Sequence, residues 1–423
     1  DSLALIAGAG KNPTHDVLRQ YNDFYYLSGA EVPHSYLLLD GKNRKTTIFL
    51  PHRSEKQRDK EGEILCAELA ETCARLTGID EVLGIEELAQ RLEGCTRLYT
   101  PFRQGECGEQ SWDTLQRARQ ETYSDPWDGR LDRIDHFLLL LRERCSRAEI
   151  RDLGPVLDDL RLIKDDCEIA LLRRAGSLSA AGLIEAMRST RPGIREYQLD
   201  AVMRYRYLVN GARGASYKSI VAGGKNAWYG HYEANRDLLA DGDLVLVDAG
   251  PEYHYYTSDA TRMWPVNGKY SPVQRELYGF ILEYHKALLG CLRAGRSDME
   301  VREEASGIMA KVVAKTRFSK GIYEAAAKRS LDFPHLTHSV GLAVHDVGHY
   351  RGGIMREGLV FALDPQLIIP EERLYIRVED TVLVTKEGVE NLSAEAPLEL
   401  DEVERTMREE GMLSRYPAWI RPG

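Results

Sequence analysis

Short apolar runs alternate along the chain with stretches whose apolar residues recur at helical spacing. In the first ~150 residues, Ser35 to Asp40 and Thr46 to Leu50 read as strands around the turn Asp40-Gly41-Lys42-Asn43. Glu61 to Leu76 and Ile85 to Leu92 carry apolar residues at the spacing of an amphipathic helix. This predicts an α/β domain over residues 1–150. Over 151–164, a Gly154-Pro155 break followed by an amphipathic helix reads as the connection to a second domain. The pattern then changes. Two helices, Cys167 to Ser189 and Glu196 to Asn210, flank the turn Arg191-Pro192-Gly193, and β-rich runs follow at Leu244 to Ala249, Tyr253 to Thr257, Leu359 to Leu363 and Tyr375 to Thr385. The last of these leads through Lys386-Glu387-Gly388 into Val389 to Leu392, a hairpin signal. Helices mixed with antiparallel-capable strands predict an α+β domain over 165–400, and Glu402 to Met412 predicts a helix in a tail over 401–423.

Composition sharpens this picture in three places. A chain of 423 residues exceeds what one hydrophobic core normally supports, which agrees with two domains. The formal net charge of −10 argues against a nucleic-acid partner, which demands a basic face. No apolar run approaches the roughly 18 residues of a membrane span; Phe137 to Leu141 is far too short. The seven cysteines form no C-x-x-C pair and are odd in number, which fits reduced thiols in a cytoplasmic protein better than a disulfide framework. Cys66 and Cys73 read as shared core. The chain starts at Asp1, so a cleaved leader is kept beside the cytoplasmic expectation.

The candidate chemistry lies in the second half. Leu244-Val245-Leu246-Val247-Asp248 ends a buried apolar strand in an acid, a costly placement without a partner. Asp259 follows in Tyr256-Thr257-Ser258-Asp259-Ala260-Thr261-Arg262, and a hairpin would bring the two carboxylates together; a salt bridge to Arg262 is the bland alternative. Four of the eleven histidines fall between His335 and His349, and a strand-borne His338 that meets carboxylates makes a transition-metal ligand. Val360-Phe361-Ala362-Leu363-Asp364 and Tyr375-Ile376-Arg377-Val378-Glu379 repeat the acid-in-apolar-strand pattern. Four such acids require compensating positive charge, supplied either by divalent cations or by arginines.

The residues in this order resemble the creatinase, aminopeptidase P and prolidase group, the pita-bread metallopeptidases. Asn22-Asp23-Phe24-Tyr25-Tyr26-Leu27-Ser28-Gly29 is similar to the N-terminal domain of aminopeptidase P proteins, and Gly242-Asp243-Leu244 through Gly268-Lys269 is similar to the group's signature. The resemblance implies an α/β creatinase-like N-terminal domain, an α+β pita-bread catalytic domain and five metal positions on Asp248, Asp259, His338, Asp364 and Glu379. It implies substrate-site roles for His231, His345 and Arg377, and two bound divalent ions, Mn²⁺ first, with Zn²⁺, Co²⁺ or Fe²⁺ as alternatives. Two departures stand out. Where the group has Glu-Pro-Gly this chain reads Asp364-Pro365-Gln366, one methylene (roughly 1.5 Å) shorter at the ligand. Where the group has a histidine four residues before the metal histidine, this chain has Pro334. His335 lies only three before, and an offset of one flips a strand side chain to the other face.

The activity implied is hydrolysis of the peptide bond before proline by a metal-bridging hydroxide, as an Xaa-Pro aminopeptidase or an Xaa-Pro dipeptidase. Asp259 and Glu379 would bridge the ions, His345 would steady the oxyanion, Asp364 would carry a proton to the leaving nitrogen, and His231 and Arg377 would place the substrate. The expected partner is a small peptide with proline at P1′, with no nucleic acid and no membrane, and the resemblance implies a homodimer or higher homo-oligomer. A related C–N hydrolase acting on a non-peptide amide and a non-catalytic pita-bread binding module are the alternatives.

Overall fold

The computed structural model describes residues 2–11, 18–62 and 64–417. The chain divides into two compact units after Leu160, inside helix Gly154–Leu162 and inside the stretch read above as a connection.

The first unit is built on one mixed sheet of six strands, in the order Glu81–Gly84, Lys45–Leu50, Tyr36–Asp40, Leu3–Ala7, Arg97–Thr100, Glu149–Asp152. The expected hairpin forms, with Asp40 opposite Lys45, and the Asp40 carboxylate accepts hydrogen bonds from the backbone N–H groups of Lys42 and Asn43 across the turn. Strand alternation divides the apolar residues between two faces. Ile6, Leu37 and Ile48 pack with Phe24 and Cys73 on one, and Leu5, Leu38, Phe49 and Leu98 pack with Leu141 on the other. The helix read from Glu61 begins later, as a 3₁₀ turn at Ala67–Leu69 leading into Ala70–Thr77. The preceding helix Glu55–Glu61 is closed by Gly62 at φ 86°, a backbone setting that glycine tolerates and that ends a helix. Cys66 and Cys73 are fully buried and unpaired, as core residues.

The second unit opens with helix Asp166–Ser189, whose Asp165 cap and Glu168 form a reciprocal capping box, and helix Glu196–Val209. Antiparallel pairs carry the rest. Thr261–Pro265, Leu244–Asp248 and Ile220–Gly223 form one sheet; Leu336–Ser339, Val360–Leu363, Asp380–Val384 and Val389–Asn391 form another. Gln366–Ile369 and Leu374–Arg377 form a separate two-stranded ribbon. Helices Pro272–Cys291, Asp298–Lys315 and Gly321–Ser330 lie between the two larger sheets in sequence.

Two expected strands are each split. Tyr253 to Thr257 is not one strand but a tight hairpin of Pro251–Tyr253 and Tyr256–Thr257. Its corner residues His254 and Tyr255 both take positive φ, 47° and 76°, without the Asn-Gly signal that marks such turns. Tyr375 to Thr385 breaks at Val378-Glu379, so that its halves belong to different sheets. Continuous apolar character concealed that break, because both halves are buried. In the tail, Leu400–Thr406 is helical and a separate short helix follows at Met412–Arg415; residues 418–423 of the expected tail lie outside the described residues. No described helix is long and apolar enough to cross a membrane.

Candidate active site

Asp248 closes the strand Leu244–Asp248 and lies opposite Thr261 in the antiparallel ladder. Between them the chain makes the small hairpin and returns through Asp259, so the two acids come back to one place. The phenol of Tyr217 spans them, donating toward both carboxylates, with Asp259 Oδ1 at 2.6 Å. Glu379, at the break between strands, exchanges both backbone hydrogen bonds with Thr261 at 3.1 Å. Thr261 Oγ1 also donates to Glu379 Oε2 at 2.9 Å. That bridge ties the sheet bearing Asp248 to the sheet bearing Asp380–Val384. Asp364 occupies the equivalent break after Val360–Leu363, its N–H held by the His335 carbonyl at 2.8 Å. Asp364 and Glu379 therefore sit where strands change partners rather than inside continuous strands as expected, whereas Asp248 ends its strand as read from the sequence.

His338 arrives from the neighbouring strand through a bulge. Leu336 pairs with Leu363 but Ser339 pairs with Phe361, so three steps on one strand face two on the other. His338 Nε2 lies 3.4 Å from Asp259 Oδ2 and 3.9 Å from Glu379 Oε1. The ligand atoms of Asp259, His338 and Glu379 all fall within 4.8 Å of one another. The His345 ring is 4.1 Å from that of His338, centroid to centroid. Arg377 enters from the two-stranded ribbon, contacts Asp248, and places its Nη1 3.7 Å from Glu379 Oε2. The structure thus brings the ligand atoms of Asp259, His338 and Glu379 together; Asp248 and Asp364 stand outside that group and join it through Arg377, His345 lies beside His338, and His231 is exposed on the loop after the 3₁₀ turn Gly224–Trp228.

The electrostatics are one-sided. Asp248, Asp259 and Asp364 are each 4 % exposed and Glu379 2 %. Burial raises the pKa of Asp259, Asp364 and Glu379 well above the carboxylate range, and the neighbouring acids add to the shift. Arg377 opposes it, but one guanidinium faces four acids. Asp364 Oδ1 is buried and accepts no hydrogen bond. An imidazole beside several carboxylates, one with an orphaned oxygen, is a donor set that fits a divalent transition metal, and cations bound there would bring the carboxylates back to their ionised form.

Behind the cluster lies a second ionic group that the sequence reading missed. Arg262 was considered as a partner for Asp248 or Asp259; it instead points to the opposite side of its strand from Thr261. It meets Asp380 Oδ1 at 2.8 Å and donates from Nη1 to the Glu379 carbonyl at 2.8 Å. His285 Nε2 lies 2.9 Å from Asp380 Oδ2, and Ser393 donates to Oδ1. Arg262, Asp380 and His285 are fully buried. Tyr217 was missed too, because nothing in the spacing of Ala215-Ser216-Tyr217-Lys218 marks it.

His335 is a core residue. Its Nε2 is 2.7 Å from the Ser330 carbonyl and its ring packs edge-on against Tyr284, with centroids 4.5 Å apart. Burial lowers its pKa from 6.5 to about 4. Between those values the unfolded chain binds the proton and the folded one does not, so stability falls as pH drops through that window. The shift corresponds to about 3 kcal/mol. His335→Phe fills the site without titrating, and is expected to flatten the wild-type loss of unfolding free energy between pH 6.5 and 4 by about that amount. An equal slope in urea titrations of both proteins would contradict the assignment.

Residues 170–386 match the family described as Metallopeptidase family M24, and residues 2–99 match Aminopeptidase P, N-terminal domain. The chain belongs to metallopeptidase family M24. Its curated relatives include the Xaa-Pro aminopeptidase of Escherichia coli, 33% identical over 92% of this chain and 89% of the relative. That of Haemophilus influenzae is 33% identical over 96% and 93%. Among solved structures, zinc-substituted E. coli aminopeptidase P in complex with product superposes with a TM-score of 0.77 at 31% identity, over 96% of this chain and 94% of that one. Proline aminopeptidase P II from Yersinia pestis gives 0.77 at 31%, over 96% and 95%. The M24 protein is accordingly a metallopeptidase, with an aminopeptidase P N-terminal domain and a pita-bread catalytic domain.

Proposed function

We propose that this M24 peptidase removes the N-terminal residue from peptides by cleaving the bond before proline, using two divalent cations, Mn²⁺ first. The observation that carries the reading is the convergence of Asp259, His338 and Glu379 ligand atoms within 4.8 Å in a chain similar over nearly its whole length to Xaa-Pro aminopeptidases. Asp248, Asp259, His338, Asp364 and Glu379 are the residues that would hold the ions. Bound metal at such a site supplies Lewis-acid polarisation and an activated water.

The remaining steps belong to side chains. His345, its ring 4.1 Å from that of His338 and tilted by 50° to it, donates a hydrogen bond to the developing oxyanion. Asp364 carries the proton to the leaving proline nitrogen, which has no N–H of its own. Tyr217 holds Asp248 and Asp259 in their relative orientation by setting its single hydroxyl between their carboxylates. Arg377 and His231 place the substrate. A 165–400 catalytic domain with the preceding α/β domain as a separate unit is part of the same reading. So are a cytoplasmic location, supported by seven cysteines none of which is in a disulfide, and homo-oligomeric assembly, supported by the resemblance.

A peptide panel tests the specificity. Cleavage of Xaa-Pro-Yaa with Xaa-Ala-Yaa left intact is expected, and activity on Xaa-Pro alone would make the protein a dipeptidase. Equal cleavage of proline and alanine peptides would contradict the assignment.

A further inference from the structure

Asp364 is held by a neighbour that its position in the fold explains. Gln366 opens the strand Gln366–Ile369 and sits directly opposite Arg377 in the two-stranded ribbon. Directly paired residues of an antiparallel ladder project from the same face, so these two side chains stand together under the carboxylate cluster. Arg377 reaches Asp248 and brings its Nε to 3.8 Å from Asp364 Oδ1. Gln366 turns to the other oxygen: its Nε2 donates to Asp364 Oδ2 at 2.5 Å. In the ionised form that bound metal would restore, the carboxylate can only accept, so the amide presents its NH₂ there. The two oxygens are therefore unequal. Oδ2 is engaged by the amide, and Oδ1 is buried with no hydrogen bond.

We propose that Gln366 is a positioning residue that locks the Asp364 carboxylate by its Oδ2, so that Oδ1 is the atom offered to metal. The inference rests on the reading of Asp364 as a ligand and goes beyond it. An aspartate has a shorter arm than a glutamate by one methylene, and with fewer torsions its carboxylate is oriented by whatever holds its second oxygen. Gln366 supplies that hold from the adjoining strand. A glutamate at 364 would reach further and would need no such partner, and the amide at 366 would then stand in its way.

The test is a double-mutant cycle on the full chain, with Mn²⁺ titrated calorimetrically into metal-stripped protein and kcat and KM measured separately. Gln366→Gly is expected to weaken Mn²⁺ binding roughly 10- to 100-fold, and to lower kcat with KM nearly unchanged, while the thermal midpoint of the metal-free protein falls only by the few degrees a strand glycine costs. Asp364→Glu alone is expected to bind the ion poorly, and the double variant Asp364→Glu/Gln366→Gly to recover most of the affinity. Rescue of this kind is not produced by a purely structural role. Unchanged Mn²⁺ affinity in Gln366→Gly, or additive losses in the double variant, would overturn the inference while leaving the site intact. A wild-type protein that binds no Mn²⁺ would overturn the site reading and the inference with it.

Discussion

Asp259→Asn is expected to lower kcat/KM on an Xaa-Pro peptide by about 10³-fold or more and to leave fewer metal ions per chain than the parent protein. Asp259 faces both directions that matter, with one oxygen at 2.6 Å from the Tyr217 hydroxyl and the other at 3.4 Å from His338 Nε2. An asparagine can satisfy one of these with its carbonyl, but it turns an uncharged NH₂ to the other. Metal ions contribute several kcal/mol of transition-state stabilisation in hydrolases, and each ~1.4 kcal/mol is tenfold in rate. The same substitution is expected to leave the metal-free protein at least as stable as its parent. Burial and the neighbouring Asp248 push the Asp259 pKa up, so its charge opposes folding at neutral pH and removing it relieves that repulsion. Activity within about tenfold of wild type would contradict the central position given to this carboxylate.

Asp380→Ala is expected to be the most damaging substitution for stability, although Asp380 is not a proposed ligand. It would strand a fully buried Arg262, and leave His285 without the carboxylate 2.9 Å from its Nε2. Removing one partner of a buried ion pair costs about 3–5 kcal/mol, which lowers the thermal midpoint of a domain of this size by roughly 10 °C. The damage should reach the active site as well. Arg262 Nη1 donates to the Glu379 carbonyl at 2.8 Å and to the Thr261 carbonyl at 3.0 Å, the two residues whose backbones bridge the sheets. Replacing the ion pair by apolar residues of similar volume, Arg262→Met with Asp380→Leu, is expected to recover much of the stability, because it removes the charges instead of orphaning one. Calorimetric unfolding measures both effects, and a loss below about 1 kcal/mol in Asp380→Ala would refute the account of this triad.

Much of this site was legible because acids in apolar strands are costly. Asp248, Asp364 and Glu379 each announced themselves by ending or interrupting a run that otherwise reads as core, Asp259 by a hairpin that would return it to Asp248, and His338 by the local density of histidine. What the one-dimensional pattern did not carry was strand exchange. The run through Arg377, Glu379 and Asp380 looks like one strand, yet its break at Glu379 sends the two halves to different sheets and turns the carboxylate toward Asp259. A period-two pattern does not record such a break when both sides are buried. The hairpin corner at His254 and Tyr255 was invisible for another reason: both residues take positive φ, which sequence reading assigns to glycine or asparagine.

Partners supplied from a distance were equally silent. Tyr217 and the Asp380–His285 pair act through contacts set by the fold and no spacing marks them, while Gln366 stood out only as a motif departure and Arg262 only as a partner for the wrong acids. His335 illustrates the converse. Its place in a histidine-rich stretch suggests chemistry, but one residue of offset and the bulge at Thr337–His338 send it into the core beside Tyr284, while His338 turns to the acids.

The most direct test strips the protein of metal, returns Mn²⁺ stepwise, and follows bound ions and Xaa-Pro-Yaa cleavage together. The expected result is no cleavage in the stripped protein, with activity appearing as binding approaches two ions per chain. Full activity in protein shown to be metal-free would contradict the account, as would two bound ions with no cleavage before proline.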